Sequence, residues 1–159
     1  LFPVLRDYLS GITASSFNEA KMGYEEFKKE VHVYSPGYRD HEIESLLSIS
    51  NAIVFNSFSQ WVRYRDKVRD HPRQVDIGIR LNPEHSEVDV PIYDPCCDFS
   101  RLGVTREHFL SDQLEGVDGF HFHTLCGGTV EHLKRTLAVV EAKFGDFFFQ
   151  SEIFVQNYP

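Results

Sequence analysis

Short apolar stretches alternate with stretches of helical periodicity along most of this chain. Each apolar stretch is rich in β-branched or aromatic residues, and a polar turn follows it. Apolar side chains then recur three or four positions apart, which is the pattern of an amphipathic helix after a strand. The pattern predicts strands over residues 12–15, 31–34, 52–55, 75–81 and 117–126, and helices over 1–9, 18–27, 42–47, 59–68 and 129–144.

This alternation of strands and helices determines the predicted fold. No hairpin signal joins two strands, so each pair needs a right-handed crossover and the sheet is predicted to be parallel. No Gly-x-Gly-x-x-Gly motif follows a strand, which argues against a dinucleotide-binding doubly wound sheet. We therefore predict an α/β fold, a partial (β/α)8 TIM-type barrel with about five βα units, over residues 1–145. Residues 146–159 show neither an amphipathic pattern nor a convincing strand and are predicted to be a tail of uncertain structure.

Length and charge narrow the functional classes. A chain of 159 residues is the size of one domain. Its formal net charge of −8 argues against a nucleic-acid-binding protein, because phosphate neutralisation needs a basic surface. It has neither an apolar run of the roughly 20 residues that span a bilayer nor a secretory signal, so we expect a cytoplasmic protein without a membrane partner. The cysteines lack framework spacing and are expected to be reduced thiols.

Two histidines stand in the last predicted strand. Side chains two positions apart in a strand share a face, so His121 and His123 are predicted to point the same way near the strand's carboxyl end. Ligands of α/β folds bind at that end of the sheet. The pair could bind zinc with carboxylates from other strands, or one imidazole could lie against an aromatic cofactor ring. Core histidines without a ligand are the third interpretation.

Four further residues are candidates for the same site. Arg101, in the long segment 85–114, could present its guanidinium to a phenolate, carboxylate or phosphate, although most arginines are simply solvated. Arg80 ends the fourth predicted strand, where it could contact a ligand or pair with a carboxylate in the barrel. Ser16 could bind an anion at a helix start, but helix capping alone also explains it. Cys126 could be a nucleophile, a soft metal ligand or a small apolar filler.

At these same stretches the chain resembles the carboxynorspermidine (carboxyspermidine) decarboxylases, which are fold-type III pyridoxal-phosphate enzymes with an alanine racemase-like barrel. The order and spacing of the motifs agree over residues 1–145. The matching motifs are Thr13-Ala14-Ser15-Ser16 with Asn18-Glu19-Ala20, Glu30-Val31-His32-Val33-Tyr34-Ser35-Pro36, Ile53-Val54-Phe55-Asn56-Ser57, Arg80-Leu81-Asn82-Pro83-Glu84 with Ser86-Glu87, Tyr93-Asp94-Pro95-Cys96, Ser100-Arg101-Leu102-Gly103-Val104 and His121-Phe122-His123-Thr124-Leu125-Cys126.

The resemblance implies a barrel joined to a β domain, working as a homodimer with active sites at the subunit interface. The reaction would remove CO₂ from carboxynorspermidine or carboxyspermidine, a step of polyamine and spermidine biosynthesis, with pyridoxal 5'-phosphate as the electron sink. By analogy with related enzymes, His123 would stack on the pyridine ring and Arg101 would approach the phenolic oxygen of the cofactor. The other residues that would line the cofactor pocket are His121, Ser16, Arg80 and Cys126.

Several features of that family are missing from this sequence. Family members bind the cofactor through a lysine in an Ala-Leu-Lys context on the first barrel strand, and no lysine here has that context. The glycine-rich phosphate loop, the glutamate facing the pyridine nitrogen and the C-terminal β domain with its cysteine acid are also missing. Gly127 stands where a glutamate is expected. We therefore expect an internal fragment without the first and last strands, without a catalytic residue of its own, and inactive alone.

The sequence leaves two other functions open. A metal-dependent barrel hydrolase would use His121 and His123 as metal ligands. A non-catalytic binding remnant would dock on a full-length subunit instead of turning over a substrate.

Overall fold

A single parallel sheet organises the structure, a computed structural model that describes residues 2–125, 127–150 and 152–155. Within these residues, six strands follow one another in the sheet in the order of the sequence, and every neighbouring pair is parallel. The predicted α/β fold with a parallel sheet is confirmed, and every predicted strand is present. The strands are β1 (Gly11–Ala14), β2 (Glu30–Tyr34), β3 (Ala52–Phe55), β4 (Asp76–Arg80), β5 (Gly119–Phe122) and β6 (Glu152–Val155).

Helices connect most of the consecutive strands. The first predicted helix is shorter than expected, because Tyr8 and Leu9 are exposed and provide no buried apolar face. None of the helices in the described part of the chain has the length and apolar character needed to cross a bilayer. The helices are α1 (Phe2–Leu5), α2 (Phe17–Met22), which a π-helical turn (Gly23–Phe27) continues, α3 (Ile43–Ile49), α4 (Phe58–Asp70) and α5 (Val130–Phe144), which a 3-10 helix (Gly145–Gln150) continues.

Serine side chains cap α2 and α4. The Oγ of Ser16 accepts a hydrogen bond from the Glu19 backbone N–H at 3.3 Å, and the Oγ of Ser57 accepts one from the Gln60 backbone N–H at 3.3 Å. The Glu19 carboxylate accepts a hydrogen bond from the Ser15 backbone N–H at 2.6 Å, so side chain and backbone pair reciprocally at the start of α2. Both helices therefore begin directly after the carboxyl end of a strand.

Apolar side chains on one face of the sheet form the core with the helices. The register places Val33, Ile53 and Ile77 side by side on this face, and all three are buried. Phe55 on the same face packs against Trp61 of α4, with ring centroids 5.8 Å apart. Full burial of such a side chain contributes roughly 1.5–3 kcal/mol. This core fixes the strands whose opposite face carries the candidate site.

The segment after α5 is also part of the folded structure. The ring of Phe147 packs on Phe109 with centroids 4.6 Å apart, and the ring of Phe148 lies 5.8 Å from that of Phe120. Strand β6 then pairs with β5. The sequence pattern indicated neither the 3-10 helix nor this strand, because the aromatic residues pack on partners that are distant in sequence. The division of the chain after residue 145 stays a prediction.

Gly103 closes the loop after β4 against the end of that strand. It has a φ of +83°, and a β-carbon there would lie 2.8 Å from the carbonyl carbon of Leu81. We expect Gly103→Ala to lower the free energy of unfolding by more than about 1 kcal/mol, because the backbone conformation and the close contact both oppose a side chain. Urea unfolding measures the loss. Gly37→Ala is the control, since a β-carbon there meets nothing within 4 Å; equal losses in the two variants would contradict this explanation.

Candidate functional site

Polar side chains gather at the carboxyl ends of β2, β4 and β5. Arg80 and His121 are register partners on adjacent strands, and Tyr34 at the end of β2 contacts both of them. His123 follows β5, and its ring centroid lies 6.2 Å from that of His121. The two histidines thus lie on one face of the sheet, as the alternation predicts. We call Tyr34, Arg80, His121 and His123 the polar cluster.

Arg80 carries a buried positive charge. The residue is 4% exposed, and its guanidinium donates hydrogen bonds to the Tyr34 hydroxyl and, at 3.3 Å, to the His123 carbonyl oxygen. Its Cζ lies 4.7 Å from the centroid of the Tyr34 ring. Within the described part of the chain, its Nε has no hydrogen-bond partner and no Asp or Glu pairs with it. Because burial of an uncompensated charge is costly, this position favours an anionic ligand.

Both histidines of the polar cluster are held in the neutral form. Burial, and after it the positive charge of Arg80, lowers the pKa of His121 to about 3. Its ring stacks on that of Tyr34, with centroids 5.3 Å and planes 19° apart. Burial and the Arg80 charge also lower the pKa of His123, which is half-buried. Neutral imidazoles beside a buried cation can stack on a ligand ring or hydrogen-bond to it without adding positive charge.

A buried amide connects the polar cluster to the loop after β4. Asn56 directly follows β3, and its Oδ1 accepts hydrogen bonds from the Tyr34 hydroxyl at 2.9 Å and from the Gly103 backbone N–H at 2.8 Å. Its Nδ2 donates a hydrogen bond to the Arg101 carbonyl oxygen at 2.8 Å. Sequence reasoning missed Tyr34 and Asn56 as site residues. The sequence signal that could have identified them is a polar side chain at the carboxyl end of a predicted strand.

The remaining predicted site residues are not part of this buried cluster. Arg101 is exposed, and its backbone carbonyl rather than its guanidinium reaches the cluster through Asn56. Ser16 is exposed, caps α2 and lines a separate cavity of about 270 Å³. Cys126 lies outside the described residues. The roles assigned to Arg101, Ser16 and Cys126 at a cofactor stay predictions.

The loop between β4 and β5 carries a half-buried thiol. The backbone N–H groups of His85 and Glu84 donate toward the Sγ of Cys96, yet burial raises the pKa of this thiol to about 11. The nearby charge of Arg80 opposes that shift without reversing it. Cys96 is therefore a neutral thiol at physiological pH and not an activated nucleophile. Cys96 and Cys97 are free cysteines.

Glu87 attaches the same loop to α5. Its carboxylate accepts hydrogen bonds from Arg135, at 2.9 Å from Nε and 2.6 Å from Nη2. The Nε2 atoms of His85 and His132 lie 3.4 Å and 3.8 Å from this carboxylate. The hydrogen bonds from Arg135 lower the pKa of Glu87 to about 2. The ionised carboxylate therefore holds the start of the loop against α5 throughout the physiological pH range.

The described residues place too few metal-binding side chains beside the histidine pair for a metal site. Among the residues that the structure describes, no group of three or more His, Cys, Asp or Glu side chains is placed to hold a metal. Zinc sites in proteins use three or four such ligands. The interpretation of His121 and His123 as metal ligands in a hydrolase therefore gains no support from this arrangement.

Solved structures of similar fold define the class of protein. Carboxynorspermidine decarboxylase from Campylobacter jejuni, complexed with norspermidine, matches with a TM-score of 0.83 and 33% identity over 96% of this chain and 38% of that chain. Diaminopimelate decarboxylase from Helicobacter pylori, complexed with L-lysine, matches with a TM-score of 0.70 and 16% identity over 91% of this chain and 40% of that chain, a likeness of fold alone. The fold is therefore that of the alanine racemase-like barrel of these decarboxylases.

Sequence relatives are decarboxylases of carboxylated polyamines and of a related compound. Carboxyaminopropylagmatine decarboxylase of Synechocystis sp. is 41% identical over 151 residues, which cover 95% of this chain and 38% of the relative. The carboxynorspermidine/carboxyspermidine decarboxylase of C. jejuni is 36% identical over 147 residues, which cover 92% of this chain and 37% of the relative. The enzyme of the same name from Herminiimonas arsenicoxydans is 33% identical over 147 residues, which cover 92% of this chain and 39% of the relative. No protein-family model matches the chain. The chain is homologous to the carboxynorspermidine/carboxyspermidine decarboxylases, and the resemblance in its motifs is confirmed.

The extent of the match has two consequences. The chain spans 37–39% of the length of these relatives. The similarity to the Synechocystis protein extends over 151 residues, so it continues beyond residue 145, the limit of the resemblance given by the sequence motifs. The 3-10 helix after α5 and strand β6 therefore fall in or next to the region of similarity.

Proposed function

We propose that this chain forms part of the cofactor site of a pyridoxal 5'-phosphate-dependent enzyme that decarboxylates carboxynorspermidine or carboxyspermidine. The observation that carries the proposal is the buried guanidinium of Arg80, which has no carboxylate partner among the described residues and lies beside two neutral imidazoles. The names of the C. jejuni and H. arsenicoxydans relatives support this substrate class. The Synechocystis relative is named for a different carboxylated substrate, so that compound belongs in the test.

The polar cluster fits the chemistry of this cofactor. Pyridoxal 5'-phosphate combines a flat aromatic ring with a phenolic oxygen and a phosphate, and it needs a flat partner and positive charge. His123 would stack on the ring, and Arg101 would approach the phenolic oxygen. Arg80, whose Nε has no partner within the described residues, would supply buried positive charge to an anionic oxygen. The other residues proposed to line the pocket are His121, Ser16 and Cys126.

The chain's own residues would act by binding and orientation. The bound cofactor supplies an electron sink for the electron pair that remains when CO₂ departs. His123 would fix the plane of the ring, and Arg80 would fix the position of an anionic oxygen. His121, which is buried and neutral, would keep water away from the inner side of the pocket, where a low dielectric strengthens charge interactions. The net charge of −8 favours the approach of a polycationic substrate.

We further propose that the working unit is a cytoplasmic homodimer with active sites at the subunit interface. The family resemblance supports this assembly. Light scattering on the purified protein at increasing concentration measures its mass and decides between a monomer and a dimer.

A chimera of the C. jejuni relative tests the proposed function. The 147 aligned residues of that protein are replaced by this chain, and release of CO₂ from carboxynorspermidine, carboxyspermidine and carboxyaminopropylagmatine is measured. We expect release from at least one of them, together with bound pyridoxal phosphate in the purified chimera. Diaminopimelate is the control substrate and is expected to stay intact. A folded chimera that releases no CO₂ from any of the three compounds would contradict the proposal.

A further inference from the structure

We infer that Tyr34 and Asn56 are positioning residues, which hold the Arg80 guanidinium in place and couple it to the loop that carries Arg101. The inference rests on the proposed cofactor site, because it assigns these two side chains a role in preparing Arg80 for an anionic ligand. Neither side chain needs to touch the ligand itself. Each acts through contacts that the structure shows within the chain.

Tyr34 contacts both buried members of the polar cluster with one side chain. Its hydroxyl accepts a hydrogen bond from the Arg80 guanidinium and donates one to the Oδ1 of Asn56. A hydroxyl has a single proton to donate, so these two contacts fix its orientation. The ring stacks on His121, and Arg80 lies over the same ring. Burial raises the pKa of Tyr34, which therefore stays a neutral phenol and keeps its proton for Asn56.

The contacts of Asn56 require an amide side chain. Its Oδ1 accepts two hydrogen bonds, from Tyr34 and from the Gly103 backbone, which uses both lone pairs of that oxygen. Its Nδ2 donates to the Arg101 carbonyl oxygen. A carboxylate could not make this donation, and an apolar side chain would remove the hydrogen bond that Asn56 makes to each of its three partners. The residue is 8% exposed, so water does not readily replace these contacts.

Together the two side chains join four parts of the fold. Tyr34 belongs to β2, Asn56 follows β3, Arg80 ends β4, and Gly103 lies in the loop after β4. An arginine whose position is fixed before a ligand binds loses less conformational entropy on binding than a mobile one. Residues that orient the ligands of a metal ion typically change affinity by about 10–100-fold when they are replaced, and we expect an effect at the lower end of that range here.

Two substitutions and one matched control test the inference. Tyr34→Phe removes the hydroxyl but keeps the ring that stacks on His121, and Asn56→Ala removes the amide. Tyr38→Phe is the control, because the Tyr38 hydroxyl also makes buried hydrogen bonds, to the Val54 carbonyl oxygen at 2.8 Å and from the Ser35 backbone N–H at 3.1 Å, without contacting Arg80. The readouts are the NMR signals of the Arg80 guanidinium in this chain and the dissociation constant of pyridoxal 5'-phosphate, measured by calorimetry in the C. jejuni chimera that carries the same substitutions.

We expect Tyr34→Phe to shift and broaden the Arg80 guanidinium signals and to weaken pyridoxal phosphate binding about 10-fold. Asn56→Ala is expected to do the same and also to shift the backbone amide of Gly103. Tyr38→Phe is expected to lower thermal stability while leaving the Arg80 signals and the affinity unchanged. Folded Tyr34→Phe protein with wild-type Arg80 signals and wild-type affinity would overturn the inference.

The design separates this inference from the proposed function. If the chimera with the unchanged sequence binds no pyridoxal phosphate, the proposed cofactor site fails, but the NMR signals still report whether Tyr34 and Asn56 hold Arg80. If the wild type binds the cofactor and neither substitution changes the affinity, the cofactor site stands and the positioning role is wrong. Should Asn56→Ala fail to fold, the conservative Tyr34→Phe variant decides the outcome.

Discussion

Replacing Arg80 with methionine is expected to weaken pyridoxal phosphate binding by at least about 30-fold while leaving the free energy of unfolding unchanged or raising it. The guanidinium is 4% exposed and has no carboxylate partner in the described part of the chain. Its positive charge costs free energy in the absence of an anion and attracts one strongly when the anion binds. Loss of a buried charge contact of this kind costs about 2 kcal/mol or more, which corresponds to a 30-fold change in affinity.

Methionine suits this test because it replaces the arginine stem with a flexible apolar chain of similar reach. Calorimetric titration gives the affinity, and urea unfolding gives the stability of the same samples. Arg69→Met is the matched control, since Arg69 lies on α4 with a side chain that is 67% exposed. A destabilised Arg80→Met protein that still binds pyridoxal phosphate with wild-type affinity would show that the buried charge serves the fold and not a ligand.

The core of the fold was predictable because its signals are local. Strand β3 is a continuous apolar run, β4 has isoleucines at alternate positions, and α5 repeats its apolar positions at helical spacing. Strand β6 had no such signal. The segment that leads to β6 packs through Phe147 and Phe148. Phe147 contacts Phe109, which precedes β5, and Phe148 contacts Phe120, which belongs to β5. Contacts between distant parts of a chain leave no periodic pattern, so the sequence could not indicate them.

Only part of the candidate site could be predicted from the sequence, because some of its contacts also join distant parts of the chain. The shared face of His121 and His123 follows from the two-residue period of a strand, and the structure has it. The contact between Tyr34 and Arg80 depends on how strands that are not adjacent in the sheet approach each other at their carboxyl ends. Neither the periodicity of the sequence nor its motifs specify how close those strand ends lie. Arg101 looked as suitable as Arg80 in the sequence, and only the tertiary structure separates an exposed guanidinium from a buried one.

Acid is expected to destabilise the protein through His121, by roughly 5 kcal/mol in total between pH 6.5 and pH 3. Above pH 6.5 the imidazole is neutral in both the folded and the unfolded chain, so its contribution to stability is complete. Below pH 6.5 the His121 imidazole binds a proton in the unfolded chain but not in the folded chain, because burial and Arg80 lower its pKa in the folded state to about 3. Each unit of pH in this window therefore costs about 1.4 kcal/mol.

Urea unfolding at a series of pH values measures this slope. Carboxylates with lowered pKa, such as Glu87, add to it in the same direction, so the informative quantity is the difference between the wild type and His121→Phe. The phenylalanine keeps a ring against Tyr34 and removes the titrating group. We expect the variant to lose less stability per pH unit than the wild type. Replacement of His41, which is exposed, by glutamine is the control; parallel curves for the wild type and His121→Phe would contradict the assignment.

The two predictions are connected, because Arg80 is one of the causes of the lowered pKa of His121. Removal of the guanidinium in Arg80→Met should raise the folded pKa of His121 and so make the acid-induced loss of stability smaller. Burial is the larger cause and stays in place, so part of the loss should persist. An anion bound at Arg80 would act in the same direction as the substitution, since it offsets the positive charge. Pyridoxal phosphate is therefore expected to protect the wild type against acid more than it protects Arg80→Met.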